Sequence, residues 1–236
     1  MSAFSNLFSI EPSDVKKSCI LLPFVNKTIL SALGLAKLSS GKIYDVGQTK
    51  ELTVIRTGMG STFLGDAVLH LQETPAQSLF LFGACGATAH SFLDCGDLVS
   101  PKKTLSLESF SEIIRGQLKA YCESYPDEML FGQLQELPHA KNVRTVTCAT
   151  FGSLKLEEEH RWFFERHAVD VVDMECSAFF EAAQHIKRKA LAIFCVTDLI
   201  SQKPLFSEAA KKDQGLIDKG IVQGIKLIKN LSEGLG

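Results

Sequence analysis

Residues 168–198 carry a strand–helix–strand pattern in the sequence AVDVVDMECSAFFEAAQHIKRKALAIFCVTD. The apolar runs at 168–172 and 190–197 are short and nearly continuous, which is typical of strands covered on both faces. Between them, residues 174–189 place apolar side chains at helical spacing. Alternation of this kind predicts βαβ units and a mostly parallel sheet with helices on both sides.

The rest of the chain continues this alternation. Further strands are predicted at residues 18–24, 52–57, 78–82 and 143–149, and further helices at 61–72, 157–166 and about 207–231. The region 101–138 has no clear periodicity, and an insertion is one interpretation of it. No repeat, low-complexity tract or linker divides the chain, so residues 1–236 are predicted to form a single domain of the α/β class.

The composition excludes several classes of protein. The chain has 236 residues, of which 45% are hydrophobic and 22% are charged, and its formal net charge is −2. These values disfavour a disordered chain and a nucleic-acid-binding module that depends on positive charge. No apolar run approaches the roughly 20 residues that span a bilayer, and the first residues lack a secretory signal pattern. We therefore expect a cytoplasmic globular protein without nucleic-acid or membrane partners.

The cysteines and histidines follow no metal-binding or disulfide pattern. There are seven cysteines, an odd number, and no pair of them has the C-x-x-C spacing. The six histidines form no H-E-x-x-H motif. We expect free thiols in a reducing compartment, and we predict neither a metal nor a cofactor.

Glu175 is the most informative position. It heads a predicted helix face that is otherwise apolar, where the periodicity calls for an apolar side chain. The other members of that face are Phe179, Ala182, Ala183 and Ile186. A buried carboxylate needs partners, which indicates a site, but an acid at a helix N-terminus is equally consistent with stabilisation by the helix dipole.

Asp198 directly follows the apolar strand at 190–197. Ligands of open α/β sheets bind beyond the carboxyl ends of the strands, although an aspartate that begins a loop often bonds its own backbone. Two acids in a single β-α-β unit favour a shared site, in which one acid stabilises charge and the other donates a proton.

Two glycine-containing segments, TGMGS (57–61) and GACGAT (83–88), come after predicted strands and are interpreted as loops. Glycine lets a backbone approach a ligand closely. The spacing matches neither a dinucleotide fingerprint nor a P-loop, so a tight turn into a helix is the simpler interpretation. The acids at 157–159 are interpreted as the charged start of a helix.

The ordered motifs resemble those of the nucleoside phosphorylase and nucleosidase superfamily. They are TGMG (57–60), GACGATAHSFLDCGDLVSP (83–101), VVDMECSAFFEAA (171–183) and VTD (196–198). The resemblance implies a three-layer α/β/α sandwich around a mixed, mostly parallel central sheet. It also implies cleavage of the N-glycosidic bond of a nucleoside and assembly as a homodimer.

The resemblance assigns roles to individual residues. Glu175 would accept hydrogen bonds from the ribose hydroxyls, and Asp198 would donate a proton to N7 of a purine. Such acid catalysis contributes about 10²–10⁴-fold, and a carboxylate stabilises the oxocarbenium-like centre formed when a ribosyl bond breaks. The other implied substrate contacts are Met174 beneath the sugar, Ala84, Cys85 and Gly86 along base and sugar, Phe151 stacked near the purine, and Phe206 over the pocket.

Three positions depart from the family pattern. Leu81 occupies the place where phosphorylases hold phosphate with an arginine, which favours water as the nucleophile because a dianion meets an apolar wall. Among hydrolases the sequence is most similar to methylthioadenosine/S-adenosylhomocysteine nucleosidases and the futalosine hydrolases of menaquinone synthesis. Those nucleosidases activate water with a glutamate after the first strand, whereas residues 23–28 contain Asn26 but no acid, and Phe194 replaces a second arginine. The alternatives are a phosphorylase with a rearranged phosphate site and a non-catalytic nucleoside-binding relative.

Overall fold

The computed structural model describes residues 3–117, 122–205 and 207–235. The strands are β1 (Ser18–Leu22), β2 (Ser39–Ser40), β3 (Asp45–Gln48), β4 (Leu52–Arg56), β5 (Ser78–Ala87), β6 (Leu98–Leu107), β7 (Glu123–Ser124), β8 (Val143–Phe151), β9 (Val171–Asp173) and β10 (Lys189–Leu199). The α-helices are α1 (Ala3–Phe8), α2 (Lys27–Leu33), α3 (Ser61–His70), α4 (Phe110–Ile114), α5 (Glu128–Glu136), α6 (Arg161–Arg166), α7 (Cys176–His185), α8 (Glu208–Lys212) and α9 (Gln214–Glu233).

One mixed sheet organises the fold, and it contains two blocks of parallel strands. The first block has the order β4-β1-β5-β10, and the second has the order β6-β8-β9. The blocks run in opposite directions and pair at two places, β5 with β9 and β10 with β6. Strands β5, β10, β6, β8 and β9 therefore close into a ring, while β3 and β2 extend the sheet beyond β4.

Helices cover both faces of this sheet because alternate strand residues point to opposite sides. In β5, Leu79 and Leu81 belong to a core that includes α1, α3 and α7. Phe80 and Phe82 belong to a second core, which includes α2, α5 and α9. The predicted α/β class, with a mixed and mostly parallel central sheet between helical layers, is confirmed.

The interpretation of residues 101–138 as an insertion is wrong. Strand β6 passes through the start of this region and joins β10 to β8 in the ring. Proline is normally confined to sheet edges and bulges, and here the register shifts between Pro101 and Lys103. The proline and the two lysines that follow it interrupt the apolar run, which is why no strand was predicted there.

The segment 168–198 is not a parallel crossover, contrary to the prediction. Strand β9 pairs antiparallel with β5, whereas β10 pairs parallel with β5 on its other side. Val172 of β9 and Asp198 of β10 both have Gly86 as their register partner. A shared neighbour, rather than a common parallel edge, brings the two acid-bearing segments together.

The predicted C-terminal helix is divided into α8 and α9. None of the helices in the described ranges combines the length and apolar character needed to cross a bilayer.

Candidate active site

A cleft opens where β5, β9 and β10 meet. It contains about 500 Å³ of space free of protein atoms, part of it open to solvent, which suits a small molecule. Its lining includes residues predicted from the sequence, namely Ala84, Cys85, Gly86, Met174, Glu175 and Asp198.

The carboxylate of Glu175 is fixed at one end of the cleft. Its side chain is 5% exposed, and Oε1 accepts a hydrogen bond of 2.6 Å from the backbone N–H of Gly60. The hydroxyl of Ser61 donates to the carbonyl of Met174 at 2.8 Å. Gly58 and Gly60 have φ angles of 84° and 102°, which glycine adopts without strain. The TGMG loop therefore needs its glycines to bring a backbone donor to Glu175.

Asp173, rather than Glu175, caps helix α7 with its side chain. Its Oδ2 accepts from the backbone N–H groups of Glu175 at 2.8 Å and Cys176 at 2.6 Å, as an N-terminal cap does. Its Oδ1 accepts from the hydroxyl of Thr150 at 2.7 Å. The carboxylate of Glu175 is thereby left free to face the cleft. An aspartate just before a helical run is a recognised start signal, although no capping role was predicted for Asp173.

Asp198 reaches the cleft through a β-bulge. The register of β10 against β5 shifts between Val196 and Asp198, and bulges next to sites commonly redirect side chains. Asp198 is 6% exposed, and its Oδ1 accepts a hydrogen bond of 3.0 Å from the hydroxyl of Thr197. Burial raises the pKa of Asp198 to about 6, although the Thr197 bond opposes the change.

The segment GACGAT is not a loop, because residues through Ala87 belong to strand β5. A Cβ atom at position 86 would lie 2.9 Å from Oδ2 of Asp198, and one at position 83 would lie 3.1 Å from the ring of Phe194. Pairing with β10 thus outweighs the low strand propensity of glycine. The glycines leave room for the side chains of the neighbouring strand.

Glu157 is a further carboxyl group in the cleft lining, although it was predicted to belong to the charged start of a helix. Its side chain is 7% exposed, whereas the neighbouring Glu158 and Glu159 are exposed. Burial and the charges of Asp198 and Asp173 raise the pKa of Glu157 to about 8. A run of acids contains no local signal for which member is buried.

The cleft is acidic and, among its described lining residues, contains no lysine or arginine. Burial and the charge of Asp173 raise the pKa of Glu175 as well, while the bond from Gly60 opposes this. Leu81 and Phe194, which stand where the family pattern has arginines, are fully buried in the core. In the described part of the chain, no group of three or more His, Cys, Asp or Glu is arranged to hold a metal ion.

Two of the predicted substrate contacts, Phe151 and Phe206, are not part of the described cleft lining. Phe151 is completely buried, and its ring lies 5.3 Å from that of His160 and 5.6 Å from that of Phe164 between centroids. Phe151 was predicted to stack near the purine. Its ring instead packs in the core and is not part of the described cleft lining. Phe206 lies outside the described residues.

Comparisons with solved structures find the same fold. Uridine phosphorylase from Vibrio fischeri superposes with a TM-score of 0.75 at 17% identity, covering 94% of this chain and 92% of that chain. The 5′-methylthioadenosine/S-adenosyl homocysteine nucleosidase of Campylobacter jejuni gives 0.73 at 17% identity, covering 93% and 99%. Futalosine hydrolase of Helicobacter pylori gives 0.72 at 15% identity, covering 93% and 98%.

No curated protein matches the chain by sequence. A family model described as the phosphorylase superfamily matches residues 15–218, which is most of the chain and contains the whole described cleft lining. The protein therefore belongs to the phosphorylase superfamily.

Proposed function

We propose that this protein is a hydrolase that cleaves the N-glycosidic bond of a purine nucleoside to a free base and a ribosyl product. The observation that carries the proposal is the presence of Glu175 and Asp198 in one cleft whose described lining has no basic side chain. The proposed substrates are methylthioadenosine, S-adenosylhomocysteine, and futalosine or aminodeoxyfutalosine. The names of the Campylobacter jejuni and Helicobacter pylori proteins support this choice.

The two carboxyl groups have different tasks in this reaction. When the bond between C1′ and N9 breaks, positive charge develops on the ribosyl group and negative charge on the purine. Glu175, oriented by Gly60, accepts hydrogen bonds from the ribose hydroxyls and stabilises the positive charge. Asp198 donates a proton to N7, which makes the purine a better leaving group.

Water is the proposed nucleophile because the cleft offers a phosphate dianion no counter-charge among its described lining residues. Asn26, the polar candidate after β1, is occupied as a helix cap. Its Oδ1 accepts from the N–H of Ile29 at 2.8 Å at the start of α2. Asn26 therefore does not replace the glutamate that nucleosidases of this family carry in that loop.

The test is release of free base from each proposed nucleoside, with and without phosphate. Release that is independent of phosphate supports the hydrolase. Dependence on phosphate would identify a phosphorylase, and binding of the nucleoside without release would identify a non-catalytic relative.

The proposal includes a homodimer located in the cytoplasm. Met59 and Leu154 line the cleft but are 64% and 47% exposed, and nearby in sequence Phe63 is 51% exposed. Large exposed apolar groups often mark contacts between proteins, so a second copy would cover the cleft mouth. Light scattering on the purified protein measures the mass, and Met59→Glu should shift a dimer toward monomer.

A further inference from the structure

Glu157 lines the cleft as a buried carboxyl group without a partner. More than nine-tenths of its surface is buried, and its side chain forms no hydrogen bond or ion pair with any described residue. Most buried polar side chains have such a partner, because burial without one costs free energy. The neighbouring Glu158 and Glu159 are exposed to solvent. The carboxyl group of Glu157 is therefore available to a ligand that enters the cleft.

The segment that carries Glu157 packs beside the segment that follows Asp198. Leu156, directly before Glu157, packs against an apolar cluster that contains Ile200. The arginine that begins α6 donates a hydrogen bond of 3.0 Å from its guanidinium to the hydroxyl of Ser201. These two contacts lie on either side of Glu157 in sequence, and both reach residues just beyond Asp198. Glu157 therefore shares the end of the cleft that contains Asp198.

This position relates Glu157 to the base of a bound nucleoside. In the proposed reaction, Glu175 binds the ribose at one end of the cleft, and Asp198 protonates N7 of the purine at the other. A carboxyl group at the Asp198 end faces the base rather than the sugar. Position 6 is next to N7 on the same edge of a purine, so its substituent points toward a group that lies beside Asp198.

The chemistry of this end of the cleft favours an amino group at position 6. A carboxyl group has an acceptor oxygen whether it is charged or protonated, and a 6-amino group has two N–H donors to offer. A 6-oxo group has only an acceptor oxygen, so it could bond only to a carboxyl proton, and the proton of Asp198 is needed at N7. The described lining has no lysine or arginine to donate to a 6-oxo group instead.

We propose that Glu157 recognises the base of the nucleoside by accepting a hydrogen bond from its 6-amino group. This role rests on the proposed hydrolysis and makes Glu157 a substrate-binding residue that sets specificity. It favours the proposed nucleosides that carry a 6-amino group, which are methylthioadenosine, S-adenosylhomocysteine and aminodeoxyfutalosine. Futalosine, which carries a 6-oxo group, is disfavoured.

The first experiment compares kcat/KM for base release from two nucleosides that differ only at position 6. One is the most active of the proposed 6-amino nucleosides, and the other is its analogue with a methyl group in place of the amino group. E157M removes the acceptor oxygens and keeps a side chain of similar length. It should lower kcat/KM for the 6-amino nucleoside by about 10–100-fold, because the amino group loses its acceptor, and for the 6-methyl analogue by less than about threefold.

Two further variants separate hydrogen bonding from packing. E157Q keeps an acceptor oxygen, so it should retain more of the activity on the 6-amino nucleoside than E157M does. E158M, at the exposed neighbour, is the matched control and should equal wild type on both nucleosides. Equal losses on the two nucleosides in E157M would overturn the proposal by showing a packing role alone. No loss on either nucleoside would overturn it as well.

Isothermal titration calorimetry with free bases gives a readout that does not depend on catalysis. Wild type should bind adenine about tenfold more tightly than hypoxanthine or 6-methylpurine, and E157M should lose most of the difference between adenine and 6-methylpurine. Adenine that binds no more tightly than either of the other bases, or does not bind, would overturn the proposal. If wild type released no base from any of the proposed nucleosides, the proposed hydrolysis would fail, and these affinities would still decide whether Glu157 binds the 6-amino group.

Discussion

The two ends of the cleft hold their carboxyl groups in different ways. At one end, Glu175 accepts from the N–H of Gly60, and Asp173 accepts from the Thr150 hydroxyl and from two backbone N–H groups at the start of α7. At the other end, the described residues supply Asp198 with the Thr197 hydroxyl and supply Glu157 with no donor. All of these side chains are buried, so the difference lies in hydrogen bonding and not in exposure.

This difference in hydrogen bonding separates two uses of a carboxyl side chain. Donors aimed at a carboxylate fix its position and oppose the rise in pKa that burial causes, as the bond from Gly60 does for Glu175, whereas burial without donors leaves that rise unopposed. A fixed carboxylate suits the stabilisation of developing positive charge. A sparsely bonded carboxyl whose pKa lies near the working pH suits proton transfer.

The largest effect is expected from Asp198→Asn, at the end of the cleft where the carboxyl groups have few hydrogen bonds. The amide keeps the shape of the side chain but has no carboxylic proton to donate, so kcat for base release should fall by about 10²–10⁴-fold. Steady-state kinetics measures the loss, and circular dichroism checks that the fold is retained. An unchanged kcat would remove Asp198 from the proposed mechanism.

Asp173→Ala tests the other end of the cleft, where hydrogen bonds hold Asp173 and Glu175 in place. The substitution removes the cap of α7 and leaves the hydroxyl of Thr150 and two backbone N–H groups without their acceptor. The free energy of unfolding in urea should fall by about 3 kcal/mol. Asp173→Asn keeps one acceptor oxygen and should cost about 1 kcal/mol. Equal losses in the two variants would contradict the assigned role of the carboxylate.

The pH dependence of stability tests the end of the cleft that contains Glu157 and Asp198. The folded-state pKa values of Glu157 and Asp198, about 8 and about 6, lie above their ordinary values of 4.5 and 3.8. The folded protein therefore holds more protons than the unfolded chain in this range, and the stabilisation present at low pH is lost as the pH rises.

Between pH 5 and pH 8, the free energy of unfolding should fall by about 5 kcal/mol from these two groups. E157Q should flatten the slope, which urea titrations at several pH values can measure. A wild-type stability that rises over this range would be inconsistent with the raised pKa values.

Gly86→Ala has the smallest expected effect and tests how closely Asp198 must be placed. The new Cβ would lie 2.9 Å from Oδ2 of Asp198 and 3.1 Å from Ile200. We expect kcat to fall about tenfold and unfolding stability to fall by about 1–2 kcal/mol.

Gly65→Ala in α3 is the matched control for this substitution. Its Cβ would meet Ala178 at 3.6 Å, an ordinary contact, so kcat should not change and stability should rise by up to about 1 kcal/mol. Equal kinetic losses in the two variants would show that the contact with Asp198 does not matter.

Much of the fold and part of the candidate site could be predicted because their signals are local. Nearly continuous apolar runs in β1, β5 and β10 reflect two covered faces, and such a run is visible among residues that are neighbours in sequence. The polar exceptions in this pattern, Glu175 and Asp198, were visible for the same reason. Asp173 was missed although its capping position is also a local signal.

The sequence by itself determined the layered α/β class and marked Glu175 and Asp198 as carboxyl groups in need of a partner or a ligand. Only the tertiary structure decided that β9 and β10 run in opposite directions on either side of β5, and that β6 closes the ring. It also decided that Glu157 is buried while its neighbours are exposed, and that the ring of Phe151 packs in the core. Strand direction and burial depend on contacts between segments far apart in the chain, and no pattern within one segment records those contacts.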